Sequence, residues 1–235
     1  MSTLATKQIS PDIDRAQKYI EQTRVGVIGA TVGLSEAQWN FKPAPDRWSI
    51  AENLEHIVIV QELVSRIVQG EAAATPTGDP AYIDNLVLRE FPNRLAKFKG
   101  PEIAMPTGKV SPQESFERLA KNCARHSQLA ESEAELRKRA YPAPPIKAAT
   151  NGKYEMLDGF QWLLAAAGHT ARHTHQYRAR LSPQRVDQHS GVVQGDTGGD
   201  ATHHEPPATH LVSGDEAPAV DDLVGVVVDR GTRRE

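Results

Sequence analysis

Apolar residues recur at helical intervals along most of the chain up to Leu181. The clearest pattern follows Ser49. Ile50, Leu54, Ile57, Val64 and Val68 make one apolar stripe, and Val60, Leu63 and Ile67 make a second. Glu55, Glu62 and Arg66 fall on the remaining face, which the pattern assigns to solvent. His56 falls within the second apolar stripe, so this imidazole is expected to face the interior, where it needs a hydrogen-bond partner or a metal.

Start and stop signals divide the periodic region into four long helices. The first begins at Ser10, with Pro11 at the first helical position and Asp12 and Asp14 in the first turn, and extends to roughly residue 32. The second begins at Ser49, where Glu52 completes an S-x-x-E capping box and Trp48 takes the staple position. A third opens on Ser111 and Pro112, with Glu114 completing another box, and is expected to continue until "PAPP". The fourth is expected from about Met156 to Leu181, with Pro183 as its stop. Between the second and third lies a stretch rich in Pro, Gly and Thr, residues 70–110, with one short helix around "IDNLVLREF". A connection of that length permits a non-sequential order of helices.

The expected fold is therefore all-α, a four-helix bundle with a long crossover between helices two and three. Residues 1–182 form the domain. Residues 183–235, dominated by Gly, Asp, Pro, Thr and His with "LVGVVV" as the main apolar exception, read as a low-complexity, disordered tail.

Charge and composition narrow the chemistry. Against 27 Lys and Arg stand 30 Asp and Glu, a net charge of −3 across 235 residues, which offers no basic footprint for nucleic acid. The single cysteine, Cys123, excludes an intramolecular disulfide framework. No secretory leader pattern opens the chain and no run of about 18 apolar residues occurs, so a soluble cytoplasmic protein without membrane contact is expected. Phosphate-binding loops, dinucleotide fingerprints and nucleophile elbows are all missing.

Histidines carry the remaining signal. In "GHTARHTHQ", residues 168–176, His169 and His173 lie about 40° apart around the helix axis, together with Trp162, Ala165, Ala166, Gln176 and Arg180, whereas His175 points elsewhere. Imidazoles at i and i+4 can ligate one ion, and a solvated helical face accommodates the same pair. His56 is the candidate third ligand. Cys123 and His126 form C-x-x-H without a matching second pair, so a buried thiol and an ordinary helical histidine are expected there. His203, His204 and His210 belong to the expected tail and are left out of the site.

Three stretches, "RWSIAENLEHI" at 47–57, "MPTGKVSPQE" at 105–114 and "HTARHTHQ" at 169–176, together resemble the DinB-like superfamily over about residues 10–182. The resemblance implies that His56, His169 and His173 hold one divalent metal ion, with other positions open to water or substrate. Imidazole suits Zn, Ni or Fe, and also Cu. Gln176, Glu52 and Arg172 are candidates for orienting a ligand or reaching an anionic substrate, although Glu52 also serves the capping box and Arg172 also suits a surface ion pair.

The resemblance further implies a metal-dependent enzyme acting on a small molecule. It is either a hydrolase or a transferase or isomerase using a low-molecular-weight thiol such as mycothiol or bacillithiol. A non-catalytic, metal-binding or stress-related helical protein, alone or as a homodimer, is the alternative class, with the ion tying helices two and four together. A bundle without metal is the third.

Overall fold

Side-chain caps set where the long helices begin. In the computed structural model, which describes residues 10–93 and 101–187, Ser10 Oγ accepts the Ile13 amide to open α1, Pro11–Thr31. A short helix, α2, Glu36–Asn40, has a reciprocal box of its own between Ser35 and Gln38. α3, Ile50–Gln69, begins with both halves of the expected box: Ser49 Oγ accepts from the Glu52 amide and Glu52 Oε2 accepts from the Ser49 amide. The short helix expected in the long connection is α4, Pro80–Glu90, which is followed by a 3-10 turn at Glu102–Ala104.

α5, Pro112–Ala130, opens with Ser111 Oγ accepting the Glu114 amide. The reciprocal half expected of Glu114 does not form; its carboxylate is solvent exposed, one turn from Arg118. The third helix also ends earlier than its good helix-forming sequence predicts. After Ala130 come α6, Glu133–Leu136, and the strand β1, Ala140–Pro142, and then α7, Pro144–Ala149. Long-range bonding decides the break. Arg137 makes a bidentate pair with Asp84 at 2.8 and 2.7 Å, reaches Asp158 at 3.1 Å and lies over the Phe160 ring. Tyr141 is buried and donates its hydroxyl to the Val68 carbonyl at 3.1 Å.

Met156 to Asp158, expected inside the fourth helix, forms β2 instead, antiparallel to β1 with Tyr141 opposite Leu157. The helix proper, α8, Gly159–Asp187, starts one step later, on a cap the sequence reading missed: Asp158 Oδ1 accepts the Gln161 amide at 2.7 Å while Gln161 Oε1 accepts the Asp158 amide at 2.9 Å. Pro183 does not stop it. Proline's φ is itself compatible with a helix, and α8 continues to Asp187. Beyond that, the expected tail lies outside the described residues.

Among the described residues the fold is all-α apart from this two-stranded pair and a single bridge between Ala74 and Ala140. Four long helices contact one another in a closed cycle, α1 with α8, α8 with α3, α3 with α5 and α5 with α1. Val58 and Gln61 of α3 meet Asn122 and His126 of α5, so those two neighbours run in the same direction. A tight turn cannot join parallel neighbours. α8 runs opposite to α3, with Asn53 against His173 and Gln61 against Thr170. Ala165 and Ala166 belong to one apolar cluster, with Val64, Val68 and Phe160, and Ala167, Tyr177 and Leu181 to another, with Leu54 and Ile57. His169 and His173 thus stand on α8 between residues of the two clusters. At Gly168, the residue before them, an added Cβ would lie 2.8 Å from Phe91 Cβ, so the end of α4 closes on α8 only because this position has no side chain.

Among the described residues no helix is long and apolar enough to cross a membrane.

Candidate metal centre

α3 supplies the first imidazole. His56 stands in the second turn after the Ser49 cap, 4% exposed, and its Nδ1 lies 2.7 Å from the Ala104 carbonyl oxygen. A carbonyl only accepts, so Nδ1 carries the proton and Nε2 keeps its lone pair. Trp48 does not make the expected staple, because the position it would reach one turn into the helix is the polar Asn53. Its ring instead packs on His56, centroids 4.8 Å apart.

α8 supplies the other two. His173 is buried, and its Nδ1 lies 3.1 Å from Asn53 Oδ1. The Asn53 amide donates its Nδ2 to the Ser49 carbonyl at 2.7 Å, which leaves Oδ1 as acceptor and makes His173 Nδ1 the donor. His173 Nε2 therefore also presents a lone pair. His169 completes the group, with its Nε2 3.2 Å from His56 Nε2 and 3.1 Å from His173 Nε2. As a residue it is partly exposed, whereas its Nδ1 is buried.

Three Nε2 atoms converge where protons cannot satisfy them all. If His169 carries its proton on Nε2 it can serve one neighbour, and its buried Nδ1, which has no hydrogen-bond partner, stays orphaned. A proton on Nδ1 instead leaves three lone pairs facing one another. A cation held among the three would resolve this. Nitrogen ligands about 2.05 Å from a zinc-like ion stand about 3.3 Å apart at tetrahedral angles and about 2.9 Å apart at right angles. The observed 3.1 and 3.2 Å separations fall between. These three residues are the group of His, Cys, Asp and Glu among the described residues whose donor atoms are spaced to hold an ion.

Electrostatics agree with the donor set. Burial holds all three imidazoles below the usual histidine range. His169 is pushed further down by His173, His56 and Arg172, and His173 by His56, Arg172 and Arg180. The neutral form, which is the ligating form, is thereby favoured.

The other expected site residues divide. Gln176, three residues after His173 on α8, acts on that imidazole in the direction that favours its charged form, against the effect of burial. Glu52 does not face the imidazoles: besides the capping box it pairs with Lys42 at 2.6 Å. Arg172 donates to the Asn93 carbonyl at 2.9 Å, and its charge is felt at His169 and His173. His175 is exposed, away from the cluster. Cys123 is buried, with its thiol pushed up to about 11 by burial. His126 is a satisfied core histidine, 3.0 Å from both the Gln61 carbonyl oxygen and Ser65 Oγ. His203, His204 and His210 lie outside the described residues.

Glu55 overturns its assignment to solvent. It is 1% exposed, and its carboxylate accepts the Thr107 amide at 2.9 Å, the Thr107 hydroxyl at 2.7 Å and the Gly108 amide at 2.8 Å. Helical periodicity placed it correctly around α3, but the face it shares is covered by a loop some fifty residues later in the chain. Glu62, from the same expected face, pairs with Arg118 of α5.

Residues 19–177 match the family model described as DinB superfamily. No curated protein and no solved structure matches the chain.

Proposed function

The chain belongs to the DinB superfamily, and from that premise we propose that it is a metal-dependent enzyme whose His56, His169 and His173 hold one divalent ion. The convergence of three neutral imidazole nitrogens, two of them fixed in tautomer by Ala104 and Asn53, carries this reading. A divalent ion on three imidazoles, with a position left for an outside ligand, supplies Lewis acidity that lowers the pKa of a coordinated water or thiol and polarises a substrate carbonyl.

The protein's own residues do the rest. His56 and His173 each spend their second nitrogen on a buried acceptor, so their rings cannot turn away. His169, the partly exposed member, marks the side from which a small-molecule substrate enters. Arg172 and Arg180 place positive charge near the imidazoles, which favours an anionic group there. That preference suits both a hydrolase and a transferase or isomerase using a thiol such as mycothiol or bacillithiol. Among the described residues no fourth side chain of ligating type joins the cluster, which favours an open catalytic site over a closed structural one.

Elemental analysis of protein purified without a His tag is expected to find one ion per chain, lost in His56→Ala. Metal-loaded protein is then screened with thiol cofactors plus electrophilic acceptors, and with esters and amides. Tight metal binding without turnover in either screen would transfer the chain to the non-catalytic class, and absence of stoichiometric metal would remove the site altogether.

A further inference from the structure

Two successive residues of α3 grip one loop. His56 Nδ1 donates to the Ala104 carbonyl, and Glu55 accepts from Thr107 and Gly108. The gripped segment is well seated: Ala104 is fully buried against Leu63, and Gly108 adopts a φ of +70° as its amide meets Glu55. An Ala at 108 would also bring its Cβ to 3.3 Å from Glu52 Oε1.

Burying a carboxylate carries a desolvation cost that an apolar side chain of similar size would not incur. What the carboxylate adds is directional hold on two consecutive amides and a hydroxyl. That hold fixes where the Ala104 carbonyl stands, three residues before Thr107. The carbonyl in turn decides which nitrogen of His56 is protonated. We infer that Glu55 is a positioning residue: through the 104–108 loop it keeps His56 in the tautomer that aims a bare Nε2 at His169 and His173. The inference rests on the proposed metal site only for its effect on affinity, because the tautomer exists with or without an ion.

The test uses the full chain, metal-free, with long-range nitrogen–proton NMR of the histidine side chains at neutral pH. Wild type is expected to show His56 protonated on Nδ1, and Glu55→Gln, which puts an NH2 against one of the loop's donors, to show a mixture of tautomers. Zinc affinity, read by competition with a chromogenic chelator, is expected to fall about 10-fold in the same variant. Thr107→Val removes only the hydroxyl bond and is expected to shift both readouts less, in the same direction. If Glu55→Gln fails to fold, Thr107→Val decides alone. An unchanged His56 tautomer in the folded variants overturns the inference, even where zinc affinity falls, since that pattern belongs to general loosening. A tautomer shift in a protein that binds no zinc leaves Glu55 in its role and removes the metal reading.

Discussion

His126 offers a quantitative check on the packing of the α3–α5 seam. It is 1% exposed, its Nε2 lies at hydrogen-bond distance from the Gln61 carbonyl and Ser65 Oγ, and burial, reinforced by Arg125 and opposed by the Gln61 bond, brings its pKa down to about 4 from the ordinary 6.5. The unfolded chain therefore takes up a proton near pH 6.5 that the folded protein refuses until about pH 4. Stability from this residue is complete above pH 6.5 and drains away as the pH falls through the window between the two values. At 1.36 kcal/mol per unit, the loss is about 1.4 kcal/mol at pH 5.5 and about 2.5 kcal/mol at pH 4.5. Urea unfolding of wild type and His126→Gln, between pH 7.5 and 4.5, isolates this contribution. Glutamine places an amide nitrogen where the imidazole Nε2 donates, and it does not titrate. His56, His169 and His173 contribute acid sensitivity of the same sign to metal-free protein, but they are common to both proteins and cancel in the difference. The stability advantage of wild type over His126→Gln should shrink by about 2.5 kcal/mol across the range. A difference flat with pH would mean that the imidazole is hydrated and titrates alike in both states, and an advantage that grew on acidification would mean that it is paired with an acid; either would refute the account of a neutral core histidine.

Three further outcomes follow from individual contacts. Asn53→Leu strips the acceptor from His173 Nδ1 and should weaken zinc binding by about 10- to 100-fold in a chelator competition, whereas Asn53→Asp, which keeps an acceptor oxygen, should bind more tightly than Asn53→Leu. Gly168→Ala forces a Cβ to within 2.8 Å of Phe91 Cβ and should cost about 1–3 kcal/mol, seen as a lowered midpoint in thermal melts. Arg137→Met leaves Asp84 and Asp158 buried without their partner and should cost about 3–5 kcal/mol by urea unfolding at pH 7. An unchanged midpoint there would show that the two carboxylates are solvated.

Much of this molecule is local in origin. Ser10, Ser49 and Ser111 sit at the starts of three long helices because a cap needs only a hydroxyl and the amide three residues on. Apolar stripes place His56 inside because helical periodicity fixes a residue's direction around its own axis. The spacing of His169 and His173 is local too. Their union with His56, from more than a hundred residues earlier, became legible only through the resemblance of motifs, and the structure places the three nitrogens within reach of one ion.

Tertiary structure decided what those directions meet. Periodicity put Glu55 beside Glu62 and Arg66, and nothing within α3 says that Thr107 and Gly108 will cover it. Good helix formers after Ala130 favoured a longer third helix, yet the bonds of Arg137 to Asp84 and Asp158 outweigh propensities worth tenths of a kcal/mol per residue. Met156 to Asp158 became a strand because Ala140 to Pro142 lay alongside to pair with it. Local signals set element starts and facings, since each needs only neighbours a few residues away. Partners, breaks and the burial of a charge depend on segments distant in the chain, and only the folded packing brings those together.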